Sequence, residues 1–416
     1  MVSAVSEARQ LLGSLFRQAI DAVAGDAAMA DALHRQPLPA GPVAVLAIGK
    51  AADSMCRGAL QVLEGRLSCG LLITKQEHLS AACREHPRLR CLESAHPIPD
   101  QRTLDAGLAL RQFLGELPSG VPLLVLLSGG ASSLVEELPA GFGARALAEM
   151  NRWLLSRDLP IDSINAVRRA VSCIKGGRLR RRLGERPLHV YLISDVPGDD
   201  PAVIGSGLLF PPPASVALPT SLPASVQHML EAAPPLPEPP TGNDATMRWE
   251  VIASNRLACE AVVRAAKERG LTVHWNAELQ QGSAIEAGSG IAKALQAAAP
   301  GLYVQGGETT VALPENPGRG GRAQALALRA AIDLSGLDDC VLLAAGTDGT
   351  DGPGEDAGAI IDGRTCTRGR QHGLDPAACL EAADSGRFLQ ASGDLIRTGP
   401  TGTNVMDLYI SYKFNV

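Results

Sequence analysis

The residues able to do chemistry fall in short loops rich in glycine and hydroxyl groups. Gly49-Lys50 closes one apolar run, and a lysine there, ahead of a helix, is placed to meet a phosphate. A lone GK would be an ordinary exposed lysine; the strand before it raises the phosphate reading beside that one. It is not a Walker A loop, because Ala44 and Ala51 stand where Gly and Ser or Thr are required. Ser128-Gly129-Gly130-Ala131-Ser132-Ser133 leaves backbone N–H groups bare for a phosphate or carboxylate, and this run of small residues exceeds what a tight turn needs. No histidine pairs with a serine in a nucleophile-elbow pattern, so a hydrolase triad has little support. Asn165, Arg168 and Lys175-Gly176-Gly177 read as a loop running into a helix, with Arg168 suited to gripping a carboxylate. The arginines that follow (178, 180, 181, 182 and 186) read as a solvated helix face.

Acidic loops form the second group. Ser194-Asp195-Val196-Pro197-Gly198-Asp199-Asp200 suits Mg²⁺ or a general base, and a capped turn would use only one of its carboxylates. Gly346-Thr347-Asp348-Gly349-Thr350-Asp351 sets two carboxylates three apart among glycines, without the spacing of an EF-hand. Gly306-Gly307-Glu308-Thr309-Thr310 and Gly318-Arg319-Gly320-Gly321-Arg322 resemble anion clamps, with a flexible hairpin as the plainer reading of the second. That second loop also matches G-x-G-x-x-A, weakly, because Pro314–Pro317 separate it from any strand. Thr401, Thr403 and Asn404 lie in a last hydroxyl-rich turn. The eight histidines show no metal-binding spacing, and His96, in HPIPD, is the one a turn would place.

These loops need a scaffold that presents loop after loop on one edge. Pro42–Lys50, Gly70–Thr74, Pro122–Leu127 and Leu188–Ile193 are unbroken apolar runs, each closed by a polar or glycine-rich turn and alternating with helical stretches such as Ala51–Leu63. Strands buried on both faces read this way, which implies an α/β fold with a mostly parallel sheet and ligands at the strands' carboxyl ends. Leu12, Leu15, Phe16, Ala19 and Val23 recur at helical spacing near the start. Prolines crowd between Pro211 and Pro240, around a short helix at Ser225–Ala233, and read as a linker. The expected domains are therefore 1–245 and 246–416. The second begins with a strand at Glu250–Ala253 and a helix at Asn255–Arg269. It continues through strands at Gly301–Gln305 and Val341–Ala345, a helix at Ala323–Ile332 and a final alternating strand.

A chain of 416 residues with 45% hydrophobic and only 3% aromatic residues must build aliphatic cores in two or three domains. A net charge of −6 argues against bulk nucleic-acid binding, and no apolar run is long enough for a membrane span. The first ten residues, with Glu7 and Arg9, do not read as a signal peptide. Nine scattered cysteines with no CxxC pair suit a reducing cytoplasm rather than a disulfide framework.

Taken together, LAIGKAA, SAHPIPD, LLSGGASS, INAVRRAVSCIKGGRL, LISDVPGDDPAVIGSG, GGETTV, GRGGRAQ, AAGTDGTDGPGEDAGAIIDG and TGPTGTNVMDLYI occur in the order of the class II glycerate 2-kinase family, the MOFRL-domain proteins, which the chain resembles from about Ala44 to Ile410. The resemblance implies ATP-dependent phosphorylation of D-glycerate to 2-phosphoglycerate with Mg²⁺, in a cleft between two α/β domains. The first would be a Rossmann-like three-layer parallel sheet, the second a smaller mixed-sheet MOFRL-type domain. Its partners would be a small hydroxy acid and a nucleotide, with a homodimer compatible.

On that footing Lys50, Asp195, Arg319 and Arg322 are the expected catalytic residues. Ser128, Gly129, Gly130, Ser132, Asn165, Arg168, Lys175, Gly307, Glu308, Thr309, Thr401, Thr403 and Asn404 are expected to bind substrate or nucleotide, and Asp195, Asp348 and Asp351 the metal. The chain departs from the family pattern in several places. Ala170 replaces a histidine, Ala323 and Ala325 replace Asn and Glu, SGLLFPP stands for SGPTVPD, and TNVMD for TNVND. A weakly active or non-catalytic paralogue, and an NAD(P)-dependent hydroxypyruvate reductase, are the alternatives.

Overall fold

The computed structural model of the chain describes residues 2–157, 159–212, 217–238 and 244–415. Parts of the proline-rich stretch, 213–216 and 239–243, lie outside the described residues.

Two six-stranded sheets organise the chain. The first contains β1 (Val43–Ile48), β2 (Leu67–Lys75), β3 (Leu89–Ser94), β4 (Leu123–Leu127), β5 (Leu188–Ile193) and β6 (Met247–Ala253), in the order β3-β2-β1-β4-β5-β6. Strands β3, β2, β1, β4 and β5 pair in parallel, with Ile48 of β1 level with Ile73 and Leu127. Every residue of β1 and β4 is buried, so both faces are covered and the sequence reads as continuous aliphatic runs. The strand order reverses between β1 and β4. Loops leaving the carboxyl ends of strands diverge at such a point and open a crevice.

The second sheet contains β7 (Val273–Gln280), β8 (Gly301–Gly307), β9 (Cys340–Gly346), β10 (Gly358–Asp362), β11 (Leu395–Ile396) and β12 (Asp407–Lys413), in the order β11-β10-β9-β12-β8-β7. Here β7 and β8 are parallel, while β12 runs antiparallel between β8 and β9. The sheet is mixed, as expected for this half. Asp407, the first residue of β12, lies opposite Gly307 on one side and Gly346 on the other.

The chain divides into two compact units, but not at residue 245. One unit is Gly25–Ile252; the other joins the residues through Ala24 to Ala253 and everything after it. The reason is the first helix, Val2–Ala22. Its stripe of Leu12, Leu15, Phe16 and Ala19 is buried, and it packs against helix Asn255–Glu268 and strands β9 and β12. Arg9 secures it to Asp362 at 2.7 Å and Asp394 at 2.8 Å. The expected linker is also partly folded into its unit. Helix Ala224–Ala232 buries Val226 and Met229 against Leu147, Leu154 and Val167, and the Pro234 carbonyl accepts from Arg178. No helix of the described residues is long and apolar enough to cross a membrane.

Candidate active site

In unit Gly25–Ile252 the expected residues gather where β1 and β4 part. Lys50 follows β1, and its backbone N–H donates to the Gly129 carbonyl at 2.9 Å. The Ala51 N–H donates to the Ser128 hydroxyl at 3.0 Å. These bonds tie the two loops edge to edge, and glycine is obligatory at the seam. Gly49 holds φ 138°, and a Cβ there would lie 2.1 Å from Ser128 Oγ. Asp195, leaving β5, lays its carboxylate over Gly129, where a Cβ would lie 1.7 Å from Oδ2. The Lys50 stem and the His96 ring flank Gly130, each about 3.0 Å from the position of a Cβ. The N–H groups of Gly129 and Gly130 have no partner among the described residues. Ser132 accepts from Ser206 at 2.8 Å, which ties the loop to the segment after Asp195. A cation, a carboxylate and bare amides thus meet around two glycines, the elements of an anion and hydroxyl site.

His96, at the end of β3, was not among the expected site residues. Burial, helped by the charges of Lys50 and then of Lys75 and His78, pushes its pKa down to about 3. It is a neutral imidazole at any ordinary pH.

Two expected ligand-binding residues, Lys175 and Arg168, are engaged inside the protein. Lys175 is buried and pairs with buried Glu136, whose other oxygen accepts from Ser172 at 2.5 Å and from the Glu137 N–H at 2.9 Å. Burial lowers the Lys175 pKa, and Glu136 works against that shift. Arg168 lies within helix Ile161–Val171, not a loop, and donates twice to Asn151 Oδ1, at 3.2 and 2.9 Å. Asn165 is half-buried on the same helix. The following arginines form a solvated face only in part, since Arg181 and Arg182 are exposed while the others are drawn inward. Arg178 is buried and donates to the carbonyls of Arg169, Ala170, Lys175 and Pro234, while Arg180 pairs with Asp244 and Arg182 with Glu137.

In the other unit a second cluster forms where β8 and β9 end and β12 begins. Arg322, at the start of helix Arg322–Asp333, grips Asp407 through Nε at 2.7 Å and Nη2 at 3.1 Å, and Glu308 through Nη1 at 2.8 Å. Burial opposes its charge, but Asp407 and Glu308 outweigh it and hold the pKa above the usual guanidinium value. Among the described residues three of its five N–H donors find partners, which leaves two for an incoming anion. Asp407 is buried, which raises its pKa against the pull of Arg322. Thr309 and Tyr409 complete a hydroxyl chain to it, at 3.4 and 3.3 Å.

The loop 398–404 packs on the loop after β9. Thr401 donates to the Thr347 carbonyl at 2.7 Å, and Gly349 lies against Gly399, where a Cβ would be 2.1 Å from its oxygen. Thr403 is buried, with no hydrogen-bond partner for its hydroxyl among the described residues, and Asn404 accepts weakly from the Met406 N–H at 3.4 Å. Gly307 faces Tyr409 and the Gln280 carbonyl too closely to carry a side chain.

Arg319 and Asp351 do other work. Arg319 donates to Gly386 O at 3.2 Å and Gln390 Oε1 at 2.6 Å, so it braces helix Ser385–Ser392. Asp351 spends both oxygens on the N–H groups of Ala323 and Gln324, at 3.0 and 2.7 Å, and so caps the helix carrying Arg322. Burial and then Asp407 push its pKa up to about 7. It is a poor metal ligand in this state. Asp348 remains half-buried, with one oxygen taken by Thr350. Among the described residues no three His, Cys, Asp or Glu side chains form a nest for a bare metal. Mg²⁺ carried on phosphates needs only one or two carboxylates, and Asp348 with Glu308 fits that role.

The G-x-G-x-x-A match dissolves in the structure. Cβ atoms at Gly318, Gly320 and Gly321 would lie 2.3, 2.3 and 2.2 Å from Asp384, Ser385 and Asp351. Those glycines serve internal packing, not the approach of a pyrophosphate.

Family models match residues 11–234 (domain of unknown function DUF4147) and residues 301–407 (MOFRL family). The D-glycerate 2-kinase of Thermotoga maritima is 34% identical, the alignment covering 97% of each chain. A protein of Agrobacterium vitis named putative hydroxypyruvate reductase is 33% identical over 96% of this chain and 93% of its own. The crystal structure of the Thermotoga maritima glycerate kinase superposes with a TM-score of 0.85, at 32% identity, over 98% of this chain and all of the other. The chain belongs to the glycerate kinase family. Within that family its departures have visible places. Ala323 and Ala325 are buried in the core from within the first turn of helix Arg322–Asp333. Met406 takes a left-handed φ of 67°, a conformation that asparagine tolerates better. Ala170 lends its carbonyl to Arg178.

Proposed function

We propose that the chain transfers the γ-phosphoryl group of ATP to the 2-hydroxyl of D-glycerate, giving 2-phosphoglycerate and ADP. The observation that carries the reading is the meeting of Lys50, Asp195 and the Gly129–Gly130 amides at the β1/β4 divergence. The amides and Lys50 bind the carboxylate of the acid. Asp195 orients its hydroxyl and takes its proton as the oxygen attacks phosphorus. Arg322, held by Asp407 and Glu308, offers its two remaining donors to phosphoryl oxygens. Phosphoryl transfer asks for this kind of positioning and charge neutralisation rather than covalent catalysis. Mg²⁺ bound through Asp348 and Glu308 would neutralise the nucleotide phosphates.

The test is ADP release by the purified protein with D-glycerate, ATP and Mg²⁺, with the product's phosphate position read by NMR. Lys50→Ala is expected to lower kcat/KM by at least about a hundredfold. No ADP, or a variant equal to wild type, overturns the reading.

A further inference from the structure

We propose that His96 is a specificity-determining residue of the acceptor site: its imidazole hydrogen-bonds the hydroxyl of the acceptor that is not phosphorylated, so the site favours a 2,3-dihydroxy acid over an acid with a single hydroxyl. The inference rests on the phosphotransfer reading above and deepens it.

Three observations meet at this residue. Its place is set by the fold, since β3 ends at Ser94 and delivers His96 to the same carboxyl edge as Lys50, Ser128 and Asp195. Its ring lies against Gly130 beside the Lys50 stem, with Cδ2 and Nε2 at 3.0 and 3.1 Å from the position of a Cβ, so it borders the space over the Gly129–Gly130 amides. Neither ring nitrogen is hydrogen-bonded to a described residue, although the side chain is half-buried.

The protonation state then selects the role. With Lys50, Lys75 and His78 around it and a pKa near 3, the ring carries one donor and one acceptor and no charge. A base that weak is of little use for removing an alcohol proton near neutrality. A neutral ring also adds no attraction for a carboxylate, which Lys50 already supplies. A hydroxyl, which both donates and accepts, matches the ring on both counts. Polar sites of this kind discriminate strongly against a substrate lacking the group, because their own donor and acceptor are then left unpaired.

The experiment compares kcat/KM for D-glycerate and D-lactate, which lacks the second hydroxyl, in wild type, His96→Phe and His96→Gln. His96→Phe is expected to lose at least about tenfold on D-glycerate and much less on D-lactate, so the preference collapses. His96→Gln, which keeps a donor and an acceptor, retains part of that preference and covers the case of a misfolded Phe variant. The loss should be the same at pH 6.5 and 8.5. An equal fall on both acids, or no fall on D-glycerate, overturns the role of His96 while leaving the phosphotransfer reading intact. Wild-type turnover of neither acid overturns both.

Discussion

Lys175→Met tests whether Lys175 is a buried counter-ion or a ligand-binding group. The side chains of Lys175 and Glu136 are 2% and 3% exposed, and each is the other's ionic partner. Methionine keeps the apolar stem and removes the charge. Glu136 would then keep hydrogen bonds from the Ser172 hydroxyl and the Glu137 N–H, both on one oxygen, and only the more distant charges of Arg168 and Arg178. Removing one member of a buried pair costs about 3–5 kcal/mol. For a unit of this size each kcal/mol moves Tm by about 2–4 °C, so the midpoint should fall by about 6–20 °C. Replacing both residues with methionine removes the stranded charge and should recover most of that loss. Thermal unfolding of wild type, the two single variants and the double variant closes the cycle. A Lys175→Met protein with wild-type Tm but no ADP formation would refute the counter-ion account and return Lys175 to the ligand site.

Gly129→Ala forces Asp195 aside, because a Cβ would lie 1.7 Å from Oδ2. A side-chain tip can move, so the fold should survive while kcat/KM falls by about a hundredfold, measured by ADP release. Asp351 has a folded-state pKa of about 7, above the ordinary carboxyl value, so the folded chain holds a proton that the unfolded chain has lost. Stability should therefore be greatest below about pH 4 as far as this group is concerned. It should decline by up to about 1.4 kcal/mol per pH unit towards pH 7 and then level off. Asp351→Asn should remove that slope from urea unfolding measured across the range, and an unchanged slope would sink the assignment. Ala325→Glu, which restores the family residue, puts a carboxylate at a position 3% exposed in the core. It should cost about 3–5 kcal/mol and give no gain in turnover; an unchanged Tm would show that the side chain escapes to solvent.

The unbroken aliphatic runs of β1 and β4 made the parallel sheet legible, because strands buried on both faces leave no polar residue in the run, and β5 (LHVYLI) departs from that pattern only at half-buried His189 and at Tyr191. β3 (LRCLES) and β7 (VHWNAELQ) were not legible. Their residues are largely half-buried or exposed, and edge strands mix polar and apolar positions without a clean period. In the site, the glycines announced themselves because close approach excludes every other residue there. Glu136 and Asp407 did not, since a buried carboxylate is defined by a partner distant in sequence, Lys175 for one and Arg322 for the other. Arg319 and Arg322 share one motif, and only the start of a helix separates the residue that braces Gln390 from the one that grips Asp407. Arg178 looked solvated by its neighbours' composition. Its four carbonyl partners come from the end of helix Ile161–Val171, the turn at Lys175 and the proline-rich stretch, which charge counting does not see.

The alanines at 323 and 325 bear on which part of the second cluster the proposed reaction needs. Both face the core with Leu342 and Ala344 of β9, so this helix's first turn has given polar positions to packing. Arg322, one residue earlier, keeps its direction for reasons that do not involve them. Asp351 fixes the start of the helix through two backbone N–H groups, and Gln324 returns a bond to the Asp351 carbonyl at 3.0 Å. Asp407 is fixed independently, by the pairing of β12 with Gly307 on one side and Gly346 on the other. The guanidinium is thus held between a capped helix and a strand junction, and neither support draws on side chains at 323 or 325. Loss of the family's Asn and Glu leaves the Arg322–Asp407–Glu308 geometry in place. Both positions are buried in the core, so the two alanines should show in stability rather than in the geometry of the clamp.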